Sequence, residues 1–381
     1  MHRSVPDGMR LLCLAVFVAA AFVFRAAQPP FEVASAGMPV RIGPRQEAEP
    51  APALPDGRAR EEQLVRFFGG SLVPLVPGAE GTGDVITVMS FGDIMMSRNV
   101  HAMMEKNGEE YPYAAVKTAL PLADLTVANL EGPVTERDNQ PSNRMVFHFA
   151  PSRAALLARL GFDVLDLANN HAYDQGARGA EDTRRALSDK NLVTFGEAKS
   201  EVGANATTVE VRGTKIAFIG FQDVTRRIDG KAMVLAVAEA RKTADIVLVS
   251  FHAGVEYVHT PNDRQRTLSE AAIDAGADAV ISHHPHVVES IDVYKGRPIF
   301  YSLGNFVFDQ YFSKATQEGL GVLLALENGS RRFYLLPIKS VRSQVRTLDA
   351  AERAAFLKAL AGWSAPELGE AIRRGALEFP L

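Results

Sequence analysis

Asp93, Glu131, Asn170, His171, His252, His284 and His286 each stand directly behind a short apolar run. Carboxylate oxygens, an amide oxygen and imidazole nitrogens together make a donor set for divalent cations. Asp93 follows Val85 to Ser90 in Phe91-Gly92-Asp93, and Glu131 follows Leu125 to Ala128 in Asn129-Leu130-Glu131. The imidazoles fall in Ala168-Asn169-Asn170-His171, Ser250-Phe251-His252 and Ser282-His283-His284-Pro285-His286. Side chains at the ends of neighbouring parallel strands converge at one edge of a sheet, so the pattern reads as a metal-centred site.

The individual readings differ in weight. Gly92 permits a turn that lets Asp93 face a cation, although an aspartate there also fits as a helix cap. Glu131, beside apolar Leu130, needs a partner to offset desolvation, and a metal supplies one. Asn170 offers a neutral oxygen; His171, next to it, suits a proton donor just outside the ligand shell, with Asp174 orienting its ring. His284 and His286 flank Pro285 and point to one place from an extended turn, while alternation turns His283 the other way, into a supporting position. His252 adds one more imidazole. Arg98 and Arg144 are candidates to clamp an anionic substrate. Asn305, in Tyr301-Ser302-Leu303-Gly304-Asn305-Phe306, either lines the pocket or shapes a turn.

These residues need a scaffold of strand ends. Val85 to Phe91, Leu125 to Asn129, Val164 to Ala168, Ile246 to Phe251 and Ala279 to Ser282 read as strands buried on both faces. Pro151 to Leu160, Arg178 to Lys190, Val234 to Lys242 and Asp263 to Ala275 read as helices between them. Such alternation calls for crossover connections and parallel pairing. Thr207 to Arg212 and Lys215 to Phe221 read as a hairpin, and Pro298 to Ser302, Gly321 to Glu327 and Arg331 to Val341 continue in antiparallel style, with a turn at Asn328-Gly329. The expected fold is α/β: two packed sheets with helices outside, followed by a tail (343–381) of two helices, Ala350 to Leu360 and Ala365 to Arg374.

The 381 residues are 47% hydrophobic and carry a net charge of −4, which suits a globular chain and leaves no electrostatic footprint for nucleic acid. Arg3 and Arg10, the apolar run Leu11 to Phe24 and the small residues up to Ala36 have the three parts of an export signal, or of a retained membrane anchor. Both readings place residues after 36 outside the cytoplasm. Cys13 is the only cysteine, so the exported part forms no internal disulfide. Residues 37–83 read as a Pro/Gly-rich linker, in which Glu61 to Phe68 has the pattern of a short helix.

With these motifs in this order, residues 84–342 resemble the CapA-type capsule-synthesis proteins, which are associated with poly-γ-glutamate. The carrying segments are Gly92-Asp93 with Met95 and Arg98, Asn129 to Thr135, Ala168 to Gly176, His252 to Tyr257, His284-Pro285-His286 and Tyr301 to Phe306. More distantly the order resembles calcineurin-like metallophosphoesterases, which implies a four-layer α/β/β/α double β-sandwich with metals at the strand ends. That resemblance implies Asp93 and His286 on a first metal, Glu131 bridging, Asn170, His252 and His284 on a second, and His171 as catalytic acid. Two departures stand out: Met95 occupies a position where the distant pattern has histidine, and Glu131 one where it has aspartate. The implied function is a metal-dependent hydrolase acting on a phosphoester or an anionic polymer. The alternative is a non-catalytic part of a membrane-bound capsule-synthesis complex.

Overall fold

The computed structural model describes residues 39–40, 56–69, 85–199, 206–327 and 329–380. The segment 1–36, expected to be an export signal or anchor, most of the expected linker and Asn328 lie outside the described residues. Among the described residues, one sheet has nine strands. Four of them are parallel neighbours, β1 (Ile86–Ile94), β2 (Leu125–Leu130), β3 (Val164–Asp166) and β4 (Val193–Phe195). On the other side of β1 lies an antiparallel hairpin, β12 (Glu318–Glu327) and β13 (Ser330–Val341), extended by β14 (Gln344–Thr347) and β15 (Ala376–Pro380). A three-residue strand, β11 (Asn305–Val307), runs parallel to the last residues of β1.

The second sheet has six strands among the described residues. At its centre β6 (Thr214–Gln222), β7 (Ile246–His252), β8 (Ala279–Ile281) and β10 (Arg297–Phe300) are parallel. The antiparallel edges are β5 (Thr207–Val211) and β9 (Ile291–Tyr294). Parallel and antiparallel strands thus occur together in each sheet.

Strand alternation sorts the apolar side chains into layers. Ile86 and Val88 of β1 meet Ile216 and Phe218 of β6 and Ile246 and Leu248 of β7 in a core between the sheets. Met89 and Phe91 face the opposite way, joining α1 (Gly57–Gly69), α2 (Arg98–Asn107) and α3 (Ser152–Leu160) in an outer core. Val247, Val249 and Phe251 of β7 pack with α5 (Gly230–Arg241) and α6 (Asp263–Asp274) on the far side. The helix α4 (Gly176–Ser188) follows the His171 loop and buries Leu187 in the first outer core. A strand covered on both faces needs apolar residues at every position, which is why these strands read as unbroken runs.

Two segments differ from the sequence reading. The helix expected at Glu61 to Phe68 runs from Gly57 to Gly69 and docks, burying Leu64, Val65 and Phe68. Its fully buried Glu61 accepts from the Tyr334 hydroxyl at 2.7 Å and pairs with Arg58 at 2.8 Å, so part of the linker belongs to the body. The tail does carry two helices, α7 (Ala350–Trp363) and α8 (Gly369–Arg374), but β15 follows them and pairs with β13. Phe356, Leu360, Ile372 and Leu377 enter the core between the sheets, which makes the tail integral to the sandwich. No helix among the described residues is long and apolar enough to cross a membrane.

Candidate metal centre

The carboxyl ends of β1, β2, β3, β7 and β8 meet at one edge, where both sheets contribute to a single site. Asp93 is in register with Asn129 on one side and with Asn305 on the other. The Asn129 amide donates to Asp93 Oδ1 at 2.7 Å and lies 3.4 Å from His252 Nδ1, which links the two sheets. Asn169 then holds Asn129, donating to its Oδ1 at 3.0 Å and to the Leu130 carbonyl at 2.9 Å. His252 Nε2 faces Asn170 Oδ1 at 2.7 Å. The strand-end residues on which the sequence pattern turned are therefore brought together.

Asp93, Glu131 and His252 offer donor atoms that all lie within 4.8 Å of one another, and all three residues are buried. Asp93 Oδ2, both Glu131 oxygens, His283 Nδ1 and His284 Nδ1 are buried without a hydrogen-bond partner. Carboxylates left this way cost several kcal/mol unless a cation stands beside them. No arginine or lysine pairs with Asp93 or Glu131 among the described residues; their basic neighbours are imidazoles, at 3.3 Å for His286 to Asp93 and 3.7 Å for His286 to Glu131. The donor chemistry and the orphaned atoms fit a divalent metal, so this group could hold one.

Charge follows the same geometry. Burial pushes Glu131 up to about 8, with Asp93 adding to the shift against the pull of His286. Burial also acts to raise Asp93, but the His286 contact, His283 and the Asn129 amide outweigh it and leave the carboxyl below its usual range. Burial depresses His252 well below the usual imidazole range, and His284 falls to about 4 for the same reason, so both are neutral nitrogens available for ligation. His286 goes the other way: the Glu131 and Asp93 carboxylates overcome burial and raise it to about 9.

His171 stands beside this cluster. Its Nδ1 is 2.8 Å from Asp174 Oδ2 and its Nε2 is 3.8 Å from Glu131 Oε1. The ring stacks on Phe147, with centroids 4.1 Å apart. Burial lowers its pKa, and the Asp174 hydrogen bond, together with the Glu131 and Asp174 charges, more than reverses this and leaves it raised. Asp174 also accepts from the Phe147 amide at 2.6 Å, so the carboxylate fixes both the imidazole and the ring it rests on.

Several residues take roles other than those expected. His283 is not turned away: its Nδ1 lies 3.6 Å from Asp93 Oδ1. Alternation fails because His284 and His286 have φ of +103° and +58°, which breaks the extended path. Asn305 binds His286 rather than lining a substrate pocket, with Oδ1 3.0 Å from Nδ1 and its amide given to the Thr316 carbonyl at 2.9 Å. Arg98 is ion-paired with Asp309 and lies over the Phe147 ring, so it is not a free anion clamp. Arg144 is exposed, and its carbonyl accepts from Arg98 at 3.3 Å. Met95 is fully buried in the outer core, its sulfur accepting from the Ser97 amide at 3.0 Å. Asn169, Phe147 and Gln310 carry supporting contacts that the sequence reading left unassigned. Only Asn169 had a visible signal, its place in the Asn-Asn-His triplet.

Fold and site together define an α/β protein of two sheets with a buried carboxylate and imidazole centre at their shared edge. Residues 87–310 match the family described as bacterial capsule synthesis protein PGA_cap, and the chain belongs to that family. It is 38% identical over 272 residues to the PGA biosynthesis protein CapA of Bacillus subtilis (strain 168), spanning 67% of this chain and 72% of that protein. It is 34% identical over 288 residues to the capsule biosynthesis protein CapA of Bacillus anthracis, spanning 69% and 70%. A hypothetical protein from Thermus thermophilus, known from a crystal structure, is 18% identical with a TM-score of 0.43, covering 66% of this chain and 98% of that one. This is a capsule-synthesis-type protein.

Proposed function

We propose that the chain is a metal-dependent hydrolase of the metallophosphoesterase-like, four-layer type, acting outside the cytoplasm on a phosphoester or on an anionic polymer during capsule synthesis. The observation that carries this reading is the convergence of orphaned, buried oxygen and nitrogen atoms of Asp93, Glu131 and His284 beside the His171 and Asp174 pair. Asp93, Glu131, Asn170, His252, His284 and His286 would hold one or two divalent ions. Such an ion supplies Lewis-acid polarisation of the substrate and of the attacking water. His171 presents Nε2 toward the site while Asp174 holds Nδ1, the arrangement required to deliver a proton to a leaving oxygen or nitrogen. Phe147 stacks on that imidazole and covers one of its faces.

The export signal or anchor at 1–36 supports action outside the cytoplasm, with a membrane-bound assembly as the setting. A second reading has support in Met95, which stands in a ligand position of the distant pattern and turns its sulfur to Ser97. In that reading the chain is a non-catalytic component of a capsule-polymer assembly complex and the pocket is inherited. Elemental analysis of the purified chain, followed by a hydrolysis screen of phosphodiesters and γ-glutamyl peptides, decides between them. The hydrolase reading expects bound Mn, Fe or Zn, and loss of turnover with metal retained in His171→Ala. Metal-free protein whose cellular role survives His171→Ala combined with His284→Ala would sink it.

A further inference from the structure

Beyond the ligand cluster, a line of hydrogen bonds runs from the buried His286 to the exposed Tyr257. His286 Nδ1 meets Asn305 Oδ1 at 3.0 Å, Asn305 donates to Gln310 Oε1 at 3.1 Å, and Gln310 donates to the Tyr257 hydroxyl at 3.2 Å. Tyr257 lies in the connection after β7, in the six-stranded sheet; Gln310 follows β11, in the nine-stranded one. The line therefore joins a loop of each sheet across the site.

Further contacts close the same junction. The Tyr257 amide donates to the Pro285 carbonyl at 2.8 Å, inside the histidine block. Its ring stacks with His286 at a centroid distance of 6.3 Å and 28° between planes, and Phe312 meets it edge-on at 5.2 Å and 87°. Tyr257 holds φ at +66°, in the left-handed region that bulky residues rarely occupy. Yet Tyr257 and Phe312 are 45% and 67% exposed and belong to none of the apolar cores. Core packing does not account for a strained tyrosine set over a histidine. Its position at the junction does.

We propose that Tyr257, Gln310 and Phe312 form a latch between the two loops beside His286 that orients this imidazole and sets the rate at which a divalent cation enters and leaves. The latch rests on the metal-binding reading above. Hydrogen bonds to the second nitrogen of a ligating imidazole fix its direction and its affinity for the ion. Here the inner bond, His286 to Asn305, is buried and Asn305 also donates to the Thr316 carbonyl, whereas the outer bond, Gln310 to Tyr257, is exposed. The outer link is the one that water can break, so opening begins there and leaves the inner geometry in place. Tyr257 is thus a positioning residue: it acts on the ion through Gln310, Asn305 and His286.

The test loads the full chain with Mn²⁺, measures affinity by calorimetry and follows release into excess EDTA. Gln310→Ala is expected to speed release about tenfold and Tyr257→Phe several-fold, each with weaker affinity. Combined, they should release no faster than Gln310→Ala alone, because both act through one line of bonds. Melting temperatures of the metal-free variants within a degree or two of wild type separate a latch from general loosening; a drop of several degrees in Tyr257→Phe overturns it. Wild-type rates in both single variants, or additive effects in the double, also overturn the latch while leaving the metal centre standing. A wild-type chain that takes up neither Mn²⁺ nor Zn²⁺ overturns the metal centre and the latch together.

Discussion

Glu131 has the least self-sufficient surroundings of any residue in the site. Both its oxygens are buried without a hydrogen-bond partner, and its nearest basic atoms are imidazole nitrogens at 3.7 and 3.8 Å. A carboxylate so placed either keeps its proton, as its rise to about 8 reflects, or faces a cation. Glu131→Gln keeps the shape and removes the charge. It should raise the stability of metal-free protein and weaken Mn²⁺ binding at least about a hundredfold, a loss calorimetry would register directly. Unchanged Mn²⁺ affinity would remove Glu131 from the ligand set. At this scale the sequence is informative where chemistry repeats: Asp93, Glu131, His252, His284 and His286 are visible because each polar residue interrupts an apolar run. It is uninformative where a role depends on a neighbour brought in by the fold. Nothing in Ser302-Leu303-Gly304-Asn305 announces that Asn305 will meet His286, and alternation misplaces His283 because it presumes an extended chain that His284, at φ +103°, does not follow.

The strands that carry these residues are legible because burial on both faces forces continuous apolar runs, as in β1 and β7. The short ones are not. β11 has three residues and β15 five, and their pairing energy comes from β1 and β13 rather than from any local pattern. The helix at Gly57–Gly69 is only half legible, since its docking depends on Tyr334 and Arg332, which lie far along the chain. The approach of β11 to β1 also gives a test at the level of the element. A Cβ on Gly92 would stand 1.8 Å from the Gly304 carbonyl oxygen, which itself accepts from the Asp93 amide at 3.1 Å. Gly92→Ala must therefore part the two strands and displace Asp93 from Asn305. It should cost at least about 3 kcal/mol in urea unfolding, with metal uptake lost as well. Gly213→Ala, in the β5 to β6 turn at φ +83° with no atom within 4 Å of the added carbon, should cost only about 1 kcal/mol. Equal penalties at the two positions would mean that the close approach of Gly304 to Gly92 relaxes at little cost.

On the scale of the molecule, the fold tolerates buried carboxyl groups at the candidate metal site and also at Glu289, which no ligand role explains. Glu289 is 1% exposed, sits between β8 and β9, and accepts from Gln265 of α6 at 2.7 Å while its other oxygen has no partner. Burial raises its carboxyl to about 8, from an ordinary value near 4.5, against the smaller effects of Gln265 and Arg266. Between those two values the folded chain holds a proton that the unfolded chain has released. The folded state thus binds more protons, and stability falls as pH rises through that window. The contribution is fully present below about 4.5 and gone above about 8. Glu289→Gln keeps an acceptor for Gln265 and cannot titrate, so the variant should gain on the wild type by roughly 2 to 4 kcal/mol as pH rises from about 5 to about 8. The comparison belongs in EDTA, so that protonation at the candidate metal site does not enter as a binding effect. Asp166, raised to about 6 by burial, and Glu131 titrate in both proteins and cancel in the difference. Parallel stability curves across that range would show that Glu289 reaches water in the folded state, and that the layer between α6 and the six-stranded sheet opens far more readily than its packing implies.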